Sequence, residues 1–254
     1  MEKIVALLSD YGLKDHYVGT VHAVIKSADP EIRIVDITHN VRPFDVVDGA
    51  VKLKWSYKYF PLGTVFLALV DPNPEAELVI VSTEKYFVVC PNNGIVSLMT
   101  EEEPIESVYI IDADHYFLDG KGNFRGRNQL APIAAELSRL QNPSHFGTKV
   151  EKNRLKLFKL PPSVKVADNV VETIVLDIDS FGNVILNLSV DKPVKSVEVN
   201  GKKINKFLTS FSGVQKGELF VSVNPEGYLQ IVAYMASAAS LLGVKRGQKV
   251  RVEF

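Results

Sequence analysis

Short apolar runs alternate with amphipathic segments through the first half of the chain. The apolar runs have the length of buried strands, and they lie at residues 4–10, 33–39, 64–71, 78–83, 86–90 and 107–112. Apolar residues recur at helical spacing in residues 15–28, 45–57 and 128–141. Strands interleaved with helices are typical of an α/β domain, and we predict one with a largely parallel sheet.

The pattern changes after about residue 143. A polar, lysine-bearing segment that contains Pro161-Pro162 is typical of a linker or of an extended crossing segment. Beyond it, strand-like runs are separated by turn signals, and Asn200-Gly201 is a strong hairpin signal. One short helix is predicted at residues 235–243, ending at Gly243. The second half of the chain therefore predicts a mostly β domain.

Composition and charge exclude several classes of protein. The 254 residues are 46% apolar, so an intrinsically disordered chain is excluded. Lys and Arg total 29 against 30 Asp and Glu, which gives no electrostatic reason to expect binding to nucleic acid or to an anionic membrane. No apolar stretch has the length of a membrane span. The single cysteine, Cys90, lies in an apolar run, which favours a buried thiol and a reducing cytoplasm.

Polar side chains follow three of the predicted strands. Asp10, His39 and Asp71 each stand at a strand end, and in open α/β sheets ligands bind outside the carboxyl ends of the strands. Asp10 could accept both hydroxyls of a ribose, or it could simply order its turn. His39 could be catalytic or structural. Asp71 enters a loop with a proline on either side of Asn73, and this loop could bind a ligand or only turn the chain.

Two further motifs have both a chemical and a structural interpretation. Arg125 and Arg127 flank a glycine before a predicted helix, where they could hold an anion or pair with acidic neighbours. Phe181 and Asn183 flank a glycine between two strands, where they could form a tight turn or contact a purine by stacking and hydrogen bonding. The five histidines are scattered without metal-ligand spacing, and no phosphate-binding or nucleophile-elbow motif is present. We therefore expect neither a metal nor a cofactor.

Seven motifs together resemble one enzyme family. They are SDYGLKDHYVG, IVDITHNVRPFDV, FPLGTVFLALVDP, VVCPNNGIVSL, FRGRNQLAPIAAEL, DSFGNVILN and GYLQIVAYMASAASLLG. In this order and spacing they are similar to the S-adenosylmethionine hydroxide adenosyltransferases, the adenosine-forming S-adenosylmethionine hydrolases, which are related to fluorinase and chlorinase. The resemblance implies an N-terminal α/β domain and a C-terminal β-barrel. Together with the sequence pattern, this places the α/β domain at residues 1–150, a linker at 151–169 and the barrel at 170–254. It also implies a homotrimer in which each site lies between the N-terminal domain of one subunit and the C-terminal domain of its neighbour.

The reaction that the resemblance implies is attack of water or hydroxide on the ribose 5′ carbon, with methionine as the leaving group. By position, Asp10 would hold the ribose hydroxyls and Asp71 would lie beside the attacking water. The family's arginine and histidine that act with this aspartate are Leu78 and Arg125 in this sequence. Arg125 would supply the lost positive charge from a new direction, although a guanidinium cannot act as a base.

The resemblance assigns the remaining substrate-binding positions to the second domain. Asn183 would contact the adenine edge with Phe181 beside it, and the backbone near Ala233 would complete the purine pocket. Asp179 would bind the methionine ammonium group, and Tyr228 is a further substrate-binding candidate. Because positions for the nucleoside persist while others differ, the alternative function is an adenosine-binding protein of the same fold without turnover.

Overall fold

The computed structural model describes residues 2–71, 73, 75–118, 123–191 and 193–254. The chain divides into two compact units, Met1–Lys159 and Leu160–Phe254. Along the described part of the chain, no helix combines the length and the apolar character that a bilayer crossing requires.

The described residues of the first unit form one seven-stranded sheet and three α-helices. The strands are β1 (Ile4–Ser9), β2 (Arg33–Thr38), β3 (Val65–Leu69), β4 (Leu78–Thr83), β5 (Phe87–Pro91), β6 (Ile105–Ile111) and β7 (Gly147–Val150). The helices are α1 (Tyr17–Ala28), α2 (Val46–Ser56) and α3 (Ala131–Leu140). The strand order is β2-β1-β3-β5-β4-β6-β7.

The sheet is mixed. β1 pairs in parallel with β2 and β3, and β3 pairs in parallel with β5, whereas the pairs β5–β4, β4–β6 and β6–β7 are antiparallel. The α/β class is confirmed, and the parallel half of the sheet aligns the carboxyl ends of β1, β2, β3 and β5 along one edge. Only three residues separate β4 from β5, too few for the crossover that a parallel pair requires.

Both faces of the sheet are covered. Along β1, Val5 and Leu7 pack in the core that contains α1 and α3, whereas Ala6 and Leu8 pack in the core that contains α2. This alternation follows from the two-residue period of a strand. A strand that is buried on both faces consists of consecutive apolar residues, which is why β1, β3 and β5 are evident in the sequence.

The second unit is an antiparallel, nearly closed barrel. Its strands are β8 (Val164–Ala167), β9 (Val170–Ile178), β10 (Val184–Ser189), β11 (Ser196–Val199), β12 (Lys202–Ile204), β13 (Leu219–Val223), β14 (Tyr228–Ala233) and β15 (Lys249–Glu253). They run in the order β12-β11-β15-β9-β10-β14-β13, with β8 paired to β9. The segment 151–169, predicted as a linker, thus contributes a strand to the barrel.

Two local predictions in the second unit are confirmed. Asn200 and Gly201 have φ values of 51° and 72°, as a type I′ turn requires, and they join β11 to β12. The short helix α4 (Ala238–Leu242) ends at Gly243, whose φ of 64° gives the left-handed conformation of a helix terminus.

Candidate active site

A cavity of about 320 Å³ opens at the carboxyl ends of β1, β3 and β5. This volume lies at the lower end of the range of ligand pockets, about 300–1,000 Å³. Asp10 reaches the cavity one residue after β1, and Asp71 reaches it two residues after β3. Arg125 enters from the turn before α3. Other lining residues are Tyr11, Tyr17, Pro43, Phe44, Leu69, Pro91, Asn123, Phe124, Gly126 and Leu130.

Asp71 and Arg125 form an ion pair in the wall of this cavity. Arg125 donates hydrogen bonds from Nε and Nη2 to Asp71 Oδ2, at 3.1 and 2.8 Å, and a third from Nη1 to the Ala76 carbonyl at 2.8 Å. Asp71 Oδ1 is buried and has no hydrogen-bond partner among the described residues. Asn93 holds the backbone directly before Asp71, because its side-chain amide donates to the Val70 carbonyl at 2.7 Å. One carboxylate oxygen of Asp71 is thus anchored, and the other is left to a ligand.

Asp10 is oriented by the backbone of the loop after β2. Its Oδ2 accepts the Phe44 backbone N–H at 2.8 Å. Phe44 has a φ of 64°, which is uncommon for a residue with a side chain, and its ring is 70% exposed at the rim of the cavity. The contact that holds Asp10 therefore also holds Phe44 in a strained conformation beside the site.

Burial alters the acidity of both carboxyl groups. Desolvation raises the pKa of Asp71, although the charge and hydrogen bonds of Arg125, and after them the backbone N–H of Asn73, oppose this change. Desolvation also raises the pKa of Asp10; the Phe44 backbone N–H opposes the change, and the charge of Asp71 adds to it. Two carboxylates that share a partly buried cavity disfavour each other's ionisation. A cationic ligand between them would relieve that repulsion.

An aromatic cluster forms another wall of the cavity. The ring centroid of Phe124 lies 5.2 Å from that of Tyr11 and 5.3 Å from that of Tyr17, and both pairs meet edge to face. Gly126 permits this packing, since a Cβ at that position would overlap the Tyr11 hydroxyl. Gly126 also begins a π-helical turn, Gly126–Leu130, that leads into α3; such turns occur frequently at functional sites.

Leu78 and His39 lie outside this cavity lining. Leu78 begins β4, is 8% exposed and packs in the core. The position at which the resemblance expects an arginine is therefore apolar, and it does not line the cavity. His39 is buried, and its Nδ1 lies 2.8 Å from Ser9 Oγ. Of the loop after Asp71, Pro72 and Pro74 lie outside the described residues.

In the second unit, Asp179 organises the predicted turn. Its Oδ1 accepts the backbone N–H groups of Phe181 and Asn183, both at 2.9 Å, and its Oδ2 accepts the Asn183 side-chain amide at 2.8 Å. One of the two side-chain N–H donors of Asn183 is thereby engaged, which leaves the other donor and the carbonyl oxygen for a ligand. Phe181 is 77% exposed. Gly182 has a φ of 82°, and a Cβ there would overlap Ser237, so the turn packs closely on the start of α4.

Ala233 and Tyr228 lie at opposite ends of β14. The pairing of β10 with β14 matches Val184 to Ile231 and Ser189 to Tyr228. Ala233 therefore lies at the end of the strand pair where Asn183 precedes β10, and Tyr228 lies at the other end. The structure brings Asp179, Phe181, Asn183 and Ala233 to one end of the barrel and does not bring Tyr228 there.

Residues that the sequence analysis did not single out line the first cavity. Tyr11 directly follows Asp10, Phe124 directly precedes Arg125, and Phe44 lies in the loop after β2. The signal that could have found the first two is an aromatic residue adjacent in sequence to a candidate charged residue.

Comparison with known proteins decides the family. The model of the SAM hydroxide adenosyltransferase N-terminal domain matches residues 5–147, and the model of the C-terminal domain of the same family matches residues 173–251. The chain belongs to the SAM hydroxide adenosyltransferase family. The two matched segments fall in the α/β unit and the barrel unit, respectively.

Relatives support this membership over nearly the whole chain. An (R)-S-adenosyl-L-methionine hydrolase of Thermus thermophilus is 31% identical, over 98% of this chain and 98% of the relative. A fluorinase of Actinopolyspora mzabensis is 24% identical over 98% of this chain and 96% of the relative. A crystal structure of an uncharacterized conserved protein from Thermotoga maritima matches with a TM-score of 0.90 and 30% identity, over 98% of this chain and all of that one.

Proposed function

We propose that this SAM hydroxide adenosyltransferase hydrolyses S-adenosyl-L-methionine to adenosine and methionine, with the (R) sulfonium epimer as its substrate. The names of its relatives support the substrate and the reaction. In the reaction the ribose C5′–S bond breaks while a C5′–O bond to water forms. The electron pair of the broken bond leaves with sulfur, so that the sulfonium becomes the neutral thioether of methionine.

The unpartnered Oδ1 of Asp71 is the observation that carries the mechanism. It is buried in the wall of the cavity, and Arg125 holds the other oxygen of the same carboxylate. Oδ1 is therefore free to accept a hydrogen bond from the attacking water and to orient its lone pair towards C5′. Because its pKa is raised by burial, Asp71 is a better proton acceptor than an exposed aspartate.

Arg125 acts through Asp71 in this proposal. A guanidinium stays protonated and cannot remove a proton, so Arg125 has a positioning role: it fixes the carboxylate and keeps it ionised against desolvation. The leaving group requires no acid, since sulfur departs as a neutral thioether. Orientation of water and exclusion of bulk solvent are then the main tasks of the protein.

Asp10 is the proposed ligand of the ribose hydroxyls. One of its oxygens already accepts a hydrogen bond from the Phe44 N–H, which fixes the orientation of the carboxylate beside the cavity. A carboxylate can accept both hydroxyls of a cis-diol, and these charge-assisted hydrogen bonds are stronger than neutral ones. Asp10 and Asp71 together would also attract the positively charged sulfonium.

The adenine and methionine ends of the substrate are assigned to the turn of the barrel unit. Asn183 would contact adenine through its carbonyl oxygen, Phe181 would stack on the ring, and the backbone near Ala233 would complete the pocket. Asp179 would accept a hydrogen bond from the methionine ammonium group while it keeps its hydrogen bonds to the backbone N–H groups of Phe181 and Asn183. Tyr228 is the weakest of these assignments because it lies at the other end of β14.

We further propose a cytoplasmic homotrimer in which a neighbouring subunit completes each site. Large apolar side chains beside the candidate residues support a covering surface: Phe44, Phe181 and Met235 are 70%, 77% and 70% exposed. Sedimentation equilibrium is expected to give three chain masses. A monomer that hydrolyses the substrate would contradict the trimeric site.

The test of the activity is incubation of the purified protein with each sulfonium epimer, followed by chromatography of adenosine. Adenosine is expected from the (R) epimer in excess of the buffer control. No adenosine from either epimer would refute the hydrolase assignment. Calorimetric binding of adenosine without turnover would then favour the alternative nucleoside-binding function.

A further inference from the structure

Two histidines and an aspartate converge outside the cavity. His22 lies on α1, Asp36 lies in β2, and His39 follows β2 directly. Asp36 Oδ1 is 2.9 Å from His22 Nε2 and 3.1 Å from His39 Nε2. One ligand atom from each of the three side chains lies within 4.8 Å of the other two. None of the three residues lines the cavity described above.

An irregularity in β2 accompanies this convergence. The pairing of β1 with β2 matches Leu7 to Asp36 but Leu8 to Thr38, so Ile37 is an additional residue in β2. In a regular strand, residues three positions apart point to opposite faces. An additional residue changes the direction in which the following side chains point, and this allows His39 and Asp36 to meet on one side of the strand.

The second observation is the unpartnered nitrogen of His39. The residue is 4% exposed, and its Nε2 is buried without a hydrogen-bond partner among the described residues. Nε2 faces Asp36 Oδ1 at 3.1 Å, but the angles do not make a hydrogen bond. Buried polar atoms rarely remain unpaired. An ion that both atoms could coordinate would satisfy the nitrogen and the carboxylate together.

Ser9 orients the histidine as metal sites require. His39 Nδ1 lies 2.8 Å from Ser9 Oγ, a hydroxyl oxygen that can accept a hydrogen bond from the ring N–H. With the proton on Nδ1, Nε2 carries a lone pair, and this nitrogen lies 3.1 Å from Asp36 Oδ1. Histidines that bind metals almost always donate their other N–H to an oxygen in this way.

We propose that His22, Asp36 and His39 form a zinc site. Two imidazole nitrogens and one carboxylate oxygen suit zinc rather than magnesium or calcium, which prefer oxygen ligands. With bonds of about 2.0–2.2 Å, the ligand atoms of a tetrahedral zinc site lie roughly 3.3–3.5 Å apart, so small movements of these side chains are sufficient. The side chains of His22 and Asp36 are 32% and 42% exposed, which leaves a path for the ion and a fourth position for water.

The site would stabilise the loops beside Asp10. The carbonyl of His39 accepts the Gly12 N–H at 2.7 Å, and the carbonyl of Ser9 accepts the Val41 N–H at 3.3 Å. Zinc would therefore join α1 and β2 to the two loops that carry Asp10 and its neighbours. Its role is structural, and it is independent of the reaction proposed above.

The test is a zinc titration of the chelator-treated full-length protein by calorimetry, with metal content measured by mass spectrometry after dialysis. We expect one zinc ion per chain, and a cobalt-loaded sample is expected to show the visible absorption of a four-coordinate nitrogen and oxygen site. His22→Ala and Asp36→Asn are each expected to weaken zinc binding by at least about tenfold, in proportion to the effects of altered metal-site residues. The matched control His145→Ala changes an exposed histidine outside the cluster and is expected to bind zinc as the wild type does.

Circular dichroism first establishes that each variant is folded; the buried His39 is left unchanged because its replacement would disturb the core. Zinc is also expected to raise the melting temperature of the wild type but not of Asp36→Asn. The proposal is overturned if the wild type binds no stoichiometric zinc, or if both ligand variants bind it with wild-type affinity.

Discussion

Removal of the Arg125 side chain is the most informative perturbation of the candidate site. Arg125→Met keeps the approximate length of the side chain but deletes the hydrogen bonds of the guanidinium, among them two to Asp71 and one to the Ala76 carbonyl. The side chains of Arg125 and Asp71 are only 16% and 21% exposed, so the carboxylate that remains is poorly solvated. Breaking a fully buried pair costs about 3–5 kcal/mol, and partial solvation reduces this to about 2–4 kcal/mol at pH 7.

The pH dependence of this loss has a definite sign. Burial raises the pKa of Asp71 and Arg125 opposes it, so without Arg125 the folded-state pKa rises further. A carboxyl group with a raised folded-state pKa destabilises the fold increasingly as pH rises above its unfolded value. The difference in unfolding free energy between wild type and variant is therefore expected to be larger at pH 7 than at pH 4, where a protonated Asp71 no longer needs a cation.

Urea unfolding at the two pH values measures the difference. Arg139→Met is the matched control, because Arg139 is 40% exposed and pairs with Glu136 and Asp29 at the surface. It is expected to cost less than about 1 kcal/mol at either pH. Hydrolysis by Arg125→Met is expected to fall by about 10²–10⁴-fold in kcat, because Asp71 would then be neither held in place nor kept ionised as the general base. An equal loss of stability at both pH values, or unchanged kcat, would refute the role given to Arg125.

Three further predictions concern other parts of the candidate site. Asp10→Asn is expected to weaken adenosine binding in calorimetry. Because burial raises the pKa of Asp10, its ionisation destabilises the wild type above about pH 4, and the variant is expected to have the higher unfolding free energy at pH 7. A variant no more stable than the wild type at pH 7 would contradict this. Gly126→Ala is expected to cost about 1–3 kcal/mol through overlap with the Tyr11 hydroxyl. Most of that cost should disappear when Tyr11→Phe is the background, and equal costs in the two backgrounds would contradict the overlap. Asn183→Ala is expected to raise KM more than it lowers kcat, and an unchanged KM would remove Asn183 from the adenine site.

The sequence predicts the part of the site that depends on strand ends. Buried strands are evident as apolar runs, so Asp10 and Asp71 could be assigned to one edge of the sheet before their contacts were known. The close packing of Gly126 on Tyr11 could not be predicted, because it depends on how the π-helical turn meets the loop after β1. The position of Tyr228 depends on the register of β10 with β14, which no sequence pattern reveals.

The cluster of His22, Asp36 and His39 shows the same limit. His22 lies on a helix, and the other two residues are three positions apart in and after a strand, which is not a recognised metal-ligand spacing. Only the packing of α1 against β2 and the additional residue in β2 bring the three together. By contrast, the antiparallel pairing of β4 with β5 was foreseeable, since the two apolar runs are separated by too few residues for a crossover.

The central claim is that water attacks the ribose 5′ carbon in the cavity between Asp10 and Asp71. Its most direct test is turnover of (R)-S-adenosyl-L-methionine in ¹⁸O-labelled water, with adenosine and methionine analysed by mass spectrometry. We expect one ¹⁸O atom in each adenosine, none in methionine, and a rate that falls by at least about 10²-fold in Asp71→Asn. Unlabelled adenosine, or labelled adenosine formed by Asp71→Asn at the wild-type rate, would contradict the account.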